Sequence, residues 1–192
     1  MRDSGARKPE PGGGARWVGG IAVGEPVAWR KACHDLWLEF SDRLLLLASA
    51  VVRDPSAAED VLQNVFVRLL RSEGSFDIAC ASTYLFRAVR NEALNARRSR
   101  DRGRSLERTL ALFELPAEDA SQAVQEREFQ DQVAHHLRAL GREFREAIVL
   151  KIWSGLTAGE AAKVLQINPK LFEYRYYQGL AQLRERMGVD AG

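Results

Sequence analysis

From residue 26 onward, apolar residues recur every three or four positions, and the breaks in that rhythm fall at Asp, Asn, Pro and Gly. The spacing predicts amphipathic helices and no sheet. The first stretch, "VAWRKACHDLWLEFSDRLLLLASAVVR", is one long helix or two, ended by the Asp54–Pro55 turn signal. Asp54 or Ser56 then caps "AAEDVLQNVFVRLLRS", whose inner stripe is Ala58, Val61, Leu62, Val65, Phe66 and Leu69. Glu59 and Asp60 are expected in its first turn, where the helix dipole favours acids. The loop "EGSFDIACAS" leads to "TYLFRAVRNEALNARRSRDR", with Leu85, Ala88, Val89 and Leu94 inward.

A second helical stretch runs from about Val124 to Met187 and closes on "LTAGEAAKVLQINPKLFEYRYYQGLAQLRER". Leu156, Ala162 and Leu165 share a face of its first piece. Phe172, Tyr176, Gly179 and Leu183 line the second. "QINP" interrupts the pattern: Asn168 can cap a new helix, and Pro169 suits its first turn, where a missing N–H costs nothing. Two helices around a tight corner form a helix-turn-helix, whose second helix enters the DNA major groove in proteins that read duplex DNA. The outward face of this second helix offers Lys170, Glu173, Tyr174, Tyr177 and Gln178.

Charge divides the chain more sharply than its net value of +2 implies. Between Arg87 and Arg108, eight arginines stand against three acids. Between Thr109 and Asp131, one arginine stands against six acids. Arg87, Arg90, Arg97, Arg98 and Arg100, interleaved with Asn91 and Asn95, supply guanidinium forks for phosphate and amides for base edges. Tyr84 and Phe86, one turn upstream, can stack on an unpaired base. The plain alternative is a solvated basic helix end, which the dipole favours in any case. The expected organisation is a disordered leader at 1–25, a helical domain at 26–104, an acidic linker at 105–123 and a helix-turn-helix domain at 124–187. The fold class is all-α.

Other chemistry is thin. Cys33 and Cys80 lack CxxC spacing and read as reduced thiols of a cytoplasmic protein. His34, His135 and His136 lie in two distant segments without paired ligand spacing, so no metal site is expected. The longest apolar run, "LLLLASAVV", is far short of the ~20 residues that span a bilayer. There is no GxxxxGK[ST], GxGxxG, GxSxG or HExxH, and no carboxylate spacing that argues for acid–base catalysis. No enzymatic activity and no cofactor are expected.

Taken in order, these pieces resemble the extracytoplasmic-function branch of the bacterial sigma-70 family. "DPSAAEDVLQNVFVRLLRS" resembles the region 2 signature, an acidic "AED" followed by a glutamine and "VF". "STYLFRAVRNEALNARRSR" resembles the helices after it, with Arg90–Asn91 and the double arginine Arg97–Arg98 in place. "LGREFREAIVLKIWSGLTAGEAAKVLQIN" resembles the start of region 4. The resemblance covers about Leu36 to Met187.

It implies a sigma factor, a non-catalytic subunit that joins core RNA polymerase and directs it to promoter DNA. Glu59, Asp60, Gln63, Asn64 and Phe66 would dock on the β′ clamp helices, with region 4 near the β flap. Tyr84, Arg87, Arg90, Asn91, Asn95, Arg97 and Arg98 would handle the −10 element, where the duplex opens. Asn168, Lys170, Glu173, Tyr174, Arg175, Tyr177 and Gln178 would meet the −35 element as duplex. An anti-sigma factor is a possible further partner.

The departures gather at the corner. Gln166 stands where the family usually has glycine, and a left-handed residue other than glycine or asparagine is strained there. Glu173 stands where the family has lysine, and Tyr84 where it favours tryptophan. Two other classes remain open: a helix-turn-helix regulator that works without polymerase, and a sigma-like module whose second domain docks on protein. The first leaves the Glu59–Gln63 face without a role. The second predicts the acid and the tyrosines on the last helix.

Overall fold

The computed structural model describes residues 16–18, 21–23, 26–72, 81–103 and 124–188. Most of the 1–25 leader, the 73–80 loop with Cys80, and the 105–123 linker lie outside them. One correction falls within the leader. Arg16–Val18 (β1) and Ile21–Val23 (β2) pair antiparallel, with Trp17 opposite Ala22. The signal was legible in "RWVGGIAV", where two glycines separate β-prone triplets. This ribbon leaves the all-α class unchanged.

Helix α1 (Pro26–Val52) is one unbroken helix of 27 residues. Asp54 caps α2 (Pro55–Arg71), accepting the Ala57 N–H at 3.0 Å, and Pro55 occupies the first turn. Glu59 and Asp60 therefore fall in the second turn, and the first turn carries no acid. Starting the helix at Pro55, rather than after Ser56, moves both carboxylates beyond the terminal N–H groups. The buried face of α2 is the expected one, Ala58 through Leu69. Helix α3 (Ala81–Gly103) buries Leu85, Phe86, Val89 and Ala93 at a spacing of three to four.

Helices α2 and α3 close on α1. The Trp29 indole donates to the carbonyls of Leu69 and Leu70 at 3.3 and 3.2 Å, tying the start of α1 to the end of α2. Trp37 meets Phe66 edge to face at 4.9 Å, and Phe40 meets Phe86 at 6.3 Å. Leu44, Leu47, Ala48 and Val51 are wholly buried between them. Burying a leucine or phenylalanine in this way contributes about 1.5–3 kcal/mol each.

The second set comprises α4 (Val124–Ala139), α5 (Arg142–Ile152), α6 (Ala158–Leu165) and α7 (Pro169–Met187). Thr157 and Glu160 form a reciprocal capping box at the start of α6: the Glu160 N–H donates to the Thr157 hydroxyl, and the Glu160 carboxylate accepts from the Thr157 N–H at 2.8 Å. The Thr157 hydroxyl also donates to that carboxylate at 2.6 Å, and this bond, followed by the one from the Thr157 N–H, lowers the Glu160 pKa. Gln166 takes the left-handed conformation (φ 58°, ψ 43°). Its N–H reaches Lys163 O at 3.2 Å and that of Ile167 reaches Ala162 O at 3.0 Å, a paired C-terminal closure. The corner thus keeps the expected geometry with glutamine in the strained position. Asn168 caps α7 by accepting the Leu171 N–H at 2.7 Å.

The two sets share one apolar core and meet along a seam, crossed by buried charges, where α5 lies on α1 and α6 on α3. Arg145, 1% exposed, donates from Nε to Ala50 O at 2.7 Å and from a terminal nitrogen to Arg138 O at 2.8 Å and Leu140 O at 3.2 Å. Its charge therefore faces the carboxyl ends of α1 and α4, where helix dipoles are negative. Burial, followed by the nearby guanidiniums of Arg53 and Arg97, pulls its pKa down to about 10. Next to it, the buried Glu146 accepts from Arg90 Nε at 2.7 Å.

Candidate functional site

Helix α3 carries the main candidate surface. Its apolar stripe faces α1, which turns Tyr84, Arg87, Asn91, Asn95 and Arg98 outward in one line from residue 84 to residue 98. Three-to-four spacing makes these neighbours on the helix surface. Asn95 and Arg98, with Ser99, Asp101 and Arg102, line an open depression at its carboxyl end. An aromatic ring, two amides and two guanidinium forks in one exposed row suit stacking, base edges and phosphate together.

Not every predicted residue of α3 belongs to that row. Arg90 points into the seam, its side chain 12% exposed and held by Glu146. Arg97, seven residues on, lies on the same side, and its Nη1 is buried without a hydrogen bond. Arg100 pairs with Asp54, the cap of α2. Phe86, proposed to stack, is buried at 0% exposure beneath the row. Tyr84 is the exposed ring of the two, at 38% exposure.

Helix α2 presents Glu59, Asp60, Gln63 and Asn64 to solvent. Phe66, expected on the same docking face, is 5% exposed and packed on Trp37, so it supports that face from below. Position 66 belongs to the inner stripe, and a core ring cannot also be offered to a partner. Beside Gln63 runs an apolar groove lined by Cys33, His34, Trp37, Phe66, Val67 and Leu70. Val67 and Leu70 are both 43% exposed. The signal for them was their position: apolar residues on α2 that fall outside its inner stripe. Burial pushes the Cys33 thiol up to about 11, so at neutral pH it is a protonated core group.

On α7, Asn168, Lys170, Glu173, Tyr174, Tyr177 and Gln178 are exposed, and Arg175 is half-buried. Tyr174 and Tyr177 stand well clear of the surface, with Leu171 one turn before them. The rings of His135 and His136 lie edge to face, 5.3 Å apart. Among the described residues, no cluster of His, Cys, Asp and Glu could hold a metal ion, and no helix is long and apolar enough to cross a membrane.

Residues 36–103 match the family model for sigma-70 region 2, which spans α1 from Leu36 through α3. The RNA polymerase sigma-E factor of Streptomyces coelicolor is 32% identical over 149 residues, 76% of this chain and 80% of that protein. This chain belongs to the sigma-70 family. Its branch is the extracytoplasmic-function one, which includes the sigma factor SigK of Mycolicibacterium vanbaalenii, 26% identical over 77% of each chain. The fold is likewise that of the sigma factor RpoE solved in complex with the anti-sigma factor NepR from Bartonella quintana. That match has a TM-score of 0.68 and 24% identity, covering 84% of this chain and 99% of RpoE. The all-α class and the family resemblance drawn from the AED, Arg–Asn and double-arginine signatures are both borne out.

Proposed function

We propose that this sigma factor joins core RNA polymerase through α2 and opens promoter DNA along α3. It does so as a binding subunit, without catalysis of its own, in the compartment where polymerase works, the cytoplasm. The observation that carries the reading is the unbroken exposed row Tyr84, Arg87, Asn91, Asn95, Arg98. A displaced strand laid along it would stack a base on Tyr84, meet amides at its base edges and set phosphates against the two arginines.

The exposed acids and amides Glu59, Asp60, Gln63 and Asn64 suit basic helices of the polymerase β′ clamp, and the second helical set would sit toward the β flap. The apolar groove with Val67 and Leu70 adds a hydrophobic centre beside that charged face, the arrangement of a protein interface. Helix α7 would face the −35 element as duplex through Lys170, Glu173, Tyr174, Tyr177 and Gln178. An anti-sigma protein is a further proposed partner, in line with the NepR complex of the matched RpoE.

Run-off transcription with purified core polymerase, this protein and a random promoter library tests the whole reading. Selective initiation is expected. Polymerase that initiates no differently with and without the protein would refute it. Asp60→Arg locates the docking face: core affinity should fall several-fold with helicity intact.

A further inference from the structure

The seam between the two helical sets contains an arrangement that ordinary core packing does not require. Consecutive residues of α5 cross it with opposite charges. Arg145 reaches the last turn of α1 at Ala50 O, 2.7 Å away, and Glu146 reaches Arg90 of α3, also at 2.7 Å. Both side chains are buried to 1% exposure. Arg142, one turn earlier, lies 3.3 Å from the other carboxylate oxygen.

This closed state is incompletely satisfied. A terminal nitrogen of Arg145 and Nη1 of Arg97 are buried without hydrogen-bond partners, and Glu146 Oε1 meets the Arg142 guanidinium as an ion pair without a well-formed hydrogen bond. Burying such a group costs free energy that water would return on opening. Arg53, Arg97 and Arg142 all oppose the Arg145 charge, with Glu146 the acid that favours it. The apolar core runs on across the seam, and within it these few directed bonds are opposed by the seam's own buried positive charge.

The partner of Glu146 decides what the contact does. Arg90 lies on α3 beside the exposed row, yet its guanidinium is taken. A carboxylate and a phosphate offer that fork equivalent oxygen acceptors. We propose that Glu146 is an internal stand-in for phosphate: it occupies Arg90 in the free chain, holds the two helical sets closed, and is displaced when DNA backbone takes its place. Binding and opening are then one exchange, in which Arg90 leaves one anion for another. The DNA half of this inference rests on the reading of α3 given above; the closure half does not.

The two halves are tested separately on the full chain. Closure is read by energy transfer between dyes at Lys31→Cys and Glu185→Cys in a Cys80→Ser background, and by small-angle scattering. Arg90→Glu sets two carboxylates against each other across the seam, and it should lower transfer and enlarge the radius of gyration with helical circular dichroism unchanged. Adding Glu146→Arg to it restores opposite charges and should restore closure. A folded Arg90→Glu chain as compact as wild type overturns the proposal. If the single variant does not fold, Glu146→Gln decides: it weakens the pair without reversing it, and the proposal requires reduced transfer. The DNA half uses a labelled single strand of mixed sequence followed by anisotropy. Glu146→Gln frees Arg90 and should tighten binding by roughly fivefold, the low end of site-to-site coupling; unchanged or weaker binding overturns the exchange. Arg98→Ala monitors the α3 reading independently, since it lies outside the seam. If that variant binds as wild type while Arg90→Glu opens the chain, the DNA interface is at fault and the closure is sound.

Discussion

The Asp54 carboxylate joins the start of α2 to the end of α3. One oxygen accepts the Ala57 N–H at 3.0 Å, and the other pairs with the Arg100 guanidinium. Both side chains are largely shielded, at 18% and 25% exposure, which makes the pair stronger than an open surface bridge. It also withdraws Arg100 from the exposed row of α3.

The two roles of Asp54 separate by substitution. Asp54→Asn keeps a cap and loses the ion pair, whereas Asp54→Ala loses both. Urea unfolding should show the alanine variant less stable than the asparagine variant by about 1 kcal/mol, the usual worth of an N-cap. Equal losses would mean that the cap contributes nothing.

Gln166 holds the helix-turn-helix corner at φ 58°, where a side chain costs about 1–2 kcal/mol. Glycine removes that strain but gains unfolded-state entropy worth roughly 0.5–1 kcal/mol. Gln166→Gly is therefore expected to raise stability by about 0.5–1 kcal/mol and to leave α6 and α7 in place. A thermal midpoint that falls would show that the glutamine side chain stabilises the corner in a way its strain conceals.

Most of the helix faces were legible because period and burial coincide, as along Ala58–Leu69 and Phe172–Leu183. Gly179 is a case in point: a Cβ there would lie 3.0 Å from Ile148 Cδ1 and 3.1 Å from Phe144 Cβ, so the stripe marked a true close approach. What was not legible lies between the helical sets. Arg90 and Arg98 are equivalent by charge and both fit the family motif, yet one is bound across the seam and the other is free to solvent. Only long-range packing separates them, and a periodic pattern carries no information about which helix covers a face. Glu146 escaped notice for the same reason, since a glutamate amid "FREAIVL" reads as a solvated position.

Cys33 supplies a pH signature of the α1–α2 core. Burial raises its folded-state pKa to about 11 from an ordinary 9.0. With the folded value raised, the stabilisation is complete below the unfolded pKa and is lost as pH climbs from about 9 through about 11. The upper bound is about 3 kcal/mol. In a Cys80→Ser background, the difference in unfolding free energy between Cys33 and Cys33→Ala chains should shrink across that window. A thiol reagent at pH 8 should label Cys33 only at the rate of unfolding; rapid labelling of the native chain would contradict the burial.

The last expectation divides the double arginine that the sequence presents as a unit. Arg98 stands in the exposed row with Arg87, whereas Arg97 is turned toward Arg145 and the seam. On single-stranded DNA each lost phosphate contact lowers the log–log salt slope by about 0.7. Arg87→Ala with Arg98→Ala should therefore flatten the slope by roughly 1.4 on strands of any sequence. Arg97→Ala removes a charge that opposes Arg145, so its first effect should be on closure, with a smaller change in slope. Asn91→Ala carries no charge and should leave the slope alone while altering preference among −10 sequences, because amides read base edges. Salt titrations of the three variants on one labelled strand, with a selection on the third, separate these outcomes. A slope flattened by the full ~0.7 of a phosphate contact in Arg97→Ala would mean that DNA binding reorients α3 enough to bring the seam side onto the strand.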